Sequence, residues 1–183
     1  FFFAYTVDDE GYADLYEENI KGNSVSLAEL DNTGEQRFEF FGVQAVNKDG
    51  ESDIMPSNSV IMGDAYTLPF ADSFANGELA YGIWYSERTG ANGFALNDMT
   101  SADNDGGCIS FQAAEAKAIA SFCSGKIALN GSNSPVLTFD YYCNPGSEDI
   151  LLAEINRAYI DTTVVKTINF TQETGVAGWR HVE

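Results

Sequence analysis

Basic residues are scarce in this chain. Lysine and arginine together number 9 against 28 aspartates and glutamates, giving a formal net charge of -19 and a sequence pI near 4.1. A phosphate-backbone partner needs clustered Lys and Arg to displace counterions, so the composition argues against nucleic acid and anionic membrane alike. No apolar run approaches the roughly 18 residues of a membrane-spanning helix. The opening Phe1-Phe2-Phe3-Ala4-Tyr5 lacks the basic start and small-residue cleavage site of a signal peptide, so no export signal is visible in it. His181 is the one histidine, and no GxSxG or Cys-His signature accompanies it, which leaves a Ser-His-Asp or Cys-His catalytic set without a nucleophile motif. Cys108, Cys123 and Cys143 are odd in number and lack CxxC spacing. Either one disulfide forms, in one of three pairings, or the thiols stay free and buried.

Aromatic residues are plentiful: thirteen phenylalanines, nine tyrosines and two tryptophans, 13% of the chain. They favour strands, and apolar residues at helical spacing are hard to find, so the chain reads as all-β. Its 183 residues are enough for one domain or two with a real core. Alternation and turn residues predict strands over Phe3–Val7, Ala13–Tyr16, Asn23–Leu27, Arg37–Val46, Ser59–Met62, Leu68–Phe74, Ile83–Tyr85, Phe94–Leu96, Cys108–Phe111, Val136–Tyr142, Ile150–Ile155, Val164–Phe170 and Gly178–Val182. Many short strands with Gly-rich turns mean a sandwich, jelly roll or barrel. Ala113 to Ala120 carries helical propensity, while Ile119 to Phe122 fits a strand equally well.

The stretch from Gln44 to Phe74 divides the chain. A turn at Asn47-Lys48-Asp49-Gly50, a break at Pro56 and a short hinge at Gly63-Asp64 predict one β-module over 1–63, joined stiffly to a second over 64–183. Phe41-Gly42-Val43-Gln44-Ala45-Val46-Asn47, then Gly50-Glu51-Ser52 and a last strand through Val60, resembles the second half of a fibronectin type III domain. Glu39 stands where that family has a tyrosine. Such a sandwich uses about 7 strands over roughly 100 residues. Only the later ones are found, so the resemblance implies that its first strands lie upstream of Phe1.

The second half carries Leu68-Pro69-Phe70, Asp72-Ser73-Phe74, Gly82-Ile83-Trp84, Ser134 through Tyr142 and a late Gly178-Trp179. In that order these are similar to the MAM-like jelly rolls known as cleaved-adhesin or choice-of-anchor J domains. Those occur beside fibronectin type III modules in secreted and surface proteins of Bacteroidota, including adhesin regions of gingipain-type proteases. Ala75 stands where that family commonly has a calcium-binding Glu. The family continues past its late Trp, so this module too is expected to be truncated, and the chain to belong to a longer polypeptide or to pair with one.

Two kinds of site chemistry follow. Ser101-Ala102-Asp103-Asn104-Asp105-Gly106 puts oxygen-bearing side chains at alternate positions before a Gly, either an ordinary turn or a loop that wraps a hard cation such as calcium. Asp72, Asp103 and Asp105 are the candidate ligands, and Ser101 and Gln112 exclude a helical calcium-loop register. Trp84, Tyr85, Tyr141, Tyr142 and Trp179 are either core or an aromatic platform for a sugar ring or peptide side chain. Trp84, Tyr141 and Tyr142 are the ligand candidates, and because Tyr141 and Tyr142 point to opposite faces of one strand, one of them is exposed. The expected protein is a non-enzymatic adhesin-type binding or display module, outside the cell or on its surface. Its partners would be a host or neighbouring-cell surface protein or glycan, and other domains of its own polypeptide. The alternatives are a carbohydrate-binding accessory region of a secreted protease or glycosidase, and a structural repeat of a surface filament.

Overall fold

The computed structural model describes residues 2–7, 12–81, 83–88, 93–98, 100–113, 115–129, 131, 134–157 and 161–183. Strands make up 48% of the residues with almost no helix, in several antiparallel sheets. The fold is all-β, consistent with a sandwich and without a closed barrel among the described residues. It forms two units, Phe1–Asp72 with Leu79–Ala95 and Ser110–Gly131, and Ser73–Glu78 with Leu96–Ile109 and Ser132–Glu183. The first unit therefore draws on residues from both sides of the Gly63-Asp64 junction.

The first unit is built on β3 (Arg37–Asn47), the longest strand. On one edge it pairs with β1 (Phe2–Val7), which pairs with β2 (Ala13–Ile20). On the other it meets three short strands in turn: β4 (Gly50–Glu51), β5 (Met55–Pro56) and β6 (Val60–Met62). Where this edge is interrupted, serine hydroxyls stand in for the ladder. Ser52 Oγ accepts from Ala45 N at 3.0 Å and Ser57 Oγ from Phe41 N at 3.0 Å. Pro56, which has no N–H to give, sits at an edge where none is needed.

Beyond the junction, β7 (Trp84–Arg88) pairs with β10 (Ala120–Ser124), and Tyr66 makes an isolated parallel bridge to Ile127. Gln36, the residue just before β3, fastens residues 120–128 to the start of that strand. Gln36 is 5% exposed, and its amide copies a backbone pair: Oε1 accepts from Lys126 N at 2.7 Å while Nε2 donates to Lys126 O at 3.0 Å. A Cβ at Gly125 would lie 2.5 Å from Gln36 Oε1, so only glycine admits this approach. Lys126 Nζ continues the tie by donating to Gly63 O. Gly63, at φ 97, backs on the Glu35 carbonyl so closely that a side chain would overlap it. Around this clasp runs a chain of rings, Tyr66, Phe70, Trp84, Phe122, Phe94 and Phe111, with neighbouring centroids 4.9 to 5.9 Å apart. Aromatic packing replaces much of the aliphatic core, where Ala4, Ile61 and Ile83 are the buried apolar side chains among the described residues of this unit.

β8 (Gly93–Asn97) and β9 (Cys108–Gln112) pair with each other, and the division between the units runs through both. The second unit holds two further ladders, β11 (Phe139–Cys143) with β14 (Gly178–Val182) and β12 (Ile150–Arg157) with β13 (Asp161–Asn169). Its centre is Cys143, fully buried, and Ile168, with Tyr141 stacked on Phe170 at 5.9 Å. All three cysteines are free. Burial pushes the Cys108 thiol up, which keeps it protonated.

Several expected elements differ. Asn23–Leu27 is not a strand: Ser26 Oγ accepts from Ala28 N and the chain turns at Leu27, a local bond that competes with a ladder. Leu68–Phe74 is irregular, with a cis Leu68–Pro69 bond. The strand expected from Val136 begins at Phe139, whose partner is Val182. No helix forms over the described residues of 113–120, where Lys117 at φ 64 is left-handed. The sequence also places turns at Asp8–Gly11 and Gly90–Gly93, which, Gly93 excepted, lie outside the described residues.

Replacing Gln36 by Ala orphans Lys126 N–H, while Lys126 O keeps its bond from Tyr66 N. We expect a loss of about 2 kcal/mol in denaturant unfolding. Gln36→Glu should cost more at neutral pH, because a carboxylate oxygen then faces the Lys126 carbonyl. Its carboxyl pKa is raised on folding, so this deficit relative to wild type shrinks as pH falls and the protonated acid regains a donor. Equal stability of wild type and Gln36→Ala would contradict the clasp.

Candidate functional site

Directly opposed residues of an antiparallel pair share a face, and successive residues alternate. In the β11–β14 ladder, Phe139, Tyr141 and Cys143 therefore point one way, and Asp140 and Tyr142 the other. The first set is the packed face. On the second, Asp140 opposes His181 and Tyr142 opposes Trp179. Tyr142 is 54% exposed and meets Trp179 edge to face, with centroids 5.6 Å apart and planes at 87°. His181 Nδ1 and Asp140 Oδ1 are 2.9 Å apart, with both side chains open to solvent. Four side chains, two aromatic and two titratable, thus form one outward patch. β14 is held beneath it by Arg180, which pairs with Glu173 and donates to Thr174 O at 2.6 Å.

Of the aromatic candidates, Tyr142 is the outward one of its pair and Tyr141 the packed one. Trp84 lies in the first unit with its ring parallel to Phe122 at 4.9 Å and 5.8 Å from Phe70. Its Nε1 donates to Asp72 Oδ2 at 2.8 Å, and the same oxygen accepts from Ala80 N at 3.0 Å. In this unit Asp72 orients an indole and ties down the chain after it.

Asp103 and Asp105 belong to the second unit and are brought together. Ser101, 8% exposed, receives Gly106 N on its Oγ at 3.1 Å, and Gly107 N donates to Asp105 Oδ1 at 3.3 Å. The Asp105 carboxyl is held below its ordinary pKa, first by the Ser73 hydroxyl against an opposing effect of burial, then by Ser101, Asp103 and the Gly107 amide. The loop thus supplies donors that keep a carboxylate ionised beside another acid. Among the described residues no group of three or more His, Cys, Asp or Glu gathers to hold a metal ion. A hard cation here would also draw on hydroxyl, carbonyl or water oxygens.

Compared with protein-family models, curated proteins and solved structures, the chain finds no match. The arrangement of the site is therefore the ground on which function is argued. The sequence placed Tyr142 and Trp179 among the residues of a core or an aromatic platform, but gave Asp140 no role and His181 no binding role. Their meeting depends on the register between strands some forty residues apart, which local pattern does not carry.

Because the Asp105 pKa is depressed on folding, its contribution to stability is present above the unfolded-state value and is lost as pH falls through the folded one. Carboxyl-carbon NMR should place its midpoint below that of a free aspartate. Asp105→Asn should remove this part of the acid limb of the unfolding curve. A midpoint at or above the ordinary aspartate value would contradict the loop geometry.

Proposed function

We propose that the protein is a non-catalytic adhesin-type binding or display module that works outside the cell or on its surface. In this reading 1–63 is the later part of a fibronectin type III-like sandwich and 64–183 a MAM-like jelly roll. The observation that carries the proposal is the outward Tyr142–Trp179 pair beside Asp140 and His181. Rings in an all-β core normally pack inward, and one presented edge to face at the surface next to polar groups suits transient contact with a partner. The net charge of -19 favours partners that are not polyanions.

Calcium belongs to the same proposal, at Asp103 and Asp105. An ionised Asp105 beside the Asp103 carboxyl offers oxygen ligands to a hard cation, whose binding stiffens the turn. Millimolar calcium should raise the melting temperature relative to chelator, and Asp105→Asn should abolish the rise. Identical melting in calcium and chelator would contradict it.

Binding is tested by immobilising the protein and passing over it extracellular-matrix glycoproteins and cell-surface extracts. Wild type should retain ligand and Tyr142→Ala should lose at least about tenfold in affinity, the scale of one well-packed aromatic contact. Retention that is equal in the two would remove Tyr142 from the site, and no retention by either would contradict a binding role.

A further inference from the structure

We propose that the outward face of the β11–β14 ribbon is a binding site for an uncharged saccharide, with Tyr142 and Trp179 as its stacking wall and Asp140 and His181 as its hydroxyl-binding pair. This rests on the reading of the protein as a binding module and names the ligand class of that same face. Asp140 and Tyr142 are two residues apart on one strand, about 6.7 Å, and His181 and Trp179 repeat that spacing on the other. The aromatic and polar pairs are thus neighbours, and the patch is apolar at one end and polar at the other.

The polar end has a defined chemistry. His181 Nδ1 lies 2.9 Å from Asp140 Oδ1, and in the neutral ring that donates there Nε2 is an acceptor. Asp140 Oδ2 is a second acceptor, and neither atom has a protein partner among the described residues. Two adjacent acceptors open to solvent match two adjacent hydroxyl donors, as on a sugar ring. The aromatic end matches the C–H face of that ring. A carboxylate on a chain of net charge -19 repels sulfated and uronic-acid glycans, which leaves neutral sugars.

The test is an amide NMR titration of the full chain with cellohexaose, mannohexaose and chitohexaose, with a heparin hexasaccharide as the anionic control. At least one neutral oligosaccharide should shift Tyr142, Trp179 and His181 together. Tyr142→Ala should weaken that binding at least about tenfold, and Asp140→Asn several-fold, with the remaining spectrum unchanged. Tyr142 is exposed, so its truncation leaves the packed face intact, and Trp179→Phe gives a second variant that keeps a ring. No response to any neutral oligosaccharide, a response that Tyr142→Ala leaves unaltered, or preference for heparin would each overturn the assignment. If an extracellular protein is bound through Tyr142 while no sugar is, the saccharide class fails and the binding reading stands. If neither is bound, both fail.

Discussion

The first unit depends on the amide of Gln36. A glutamine side chain can present one donor and one acceptor side by side, as a residue in a ladder does, and here it offers both to Lys126 from just before the start of β3. Segments that are distant in sequence are joined without a continuous strand between them. The consequences spread outward: Gly125 must lack a side chain, Lys126 can reach the Gly63 carbonyl, and Tyr66 can bridge Ile127. Phe38 of β3 then meets Tyr85 of β7 edge to face at 5.4 Å. A buried amide without these partners would cost about 1 to 3 kcal/mol per unsatisfied group.

The second unit solves a different problem with the same alternation. Tyr141 and Cys143 take the packed side of β11, and this commits Asp140 and Tyr142 to solvent. Register does the rest, since β14 brings Trp179 and His181 opposite them. The outward patch is thus a by-product of strand geometry that carries usable chemistry. The chain's net charge of -19 narrows the ligands the patch can accept.

Much of the strand pattern is legible in the residues. The strand read over Arg37–Val46 lies in β3, and those read over Ile150–Ile155 and Val164–Phe170 fall largely in β12 and β13, which pair antiparallel. The sequence misled where side chains bond locally. Ser26 satisfies the amide of Ala28, and Pro69 has no amide to give, so the apolar residues near each read as strands that do not form. The site is half legible: adjacency makes one of Tyr141 and Tyr142 exposed, but only packing decides that it is Tyr142. Trp84 reads like Tyr142 in sequence, and its place among Phe70, Phe122 and Asp72 is set by contacts that no local pattern reports.

Native-state hydrogen exchange tests the clasp most directly. If Gln36 joins β3 to residues 120–128 as one cooperative piece, the amides of Gly125, Lys126 and Ala128 should exchange with the same opening free energy as the paired amides of β3. Should they open at distinctly lower free energy while β3 stays protected, the two parts of the first unit are independent, and the account built on Gln36 is wrong.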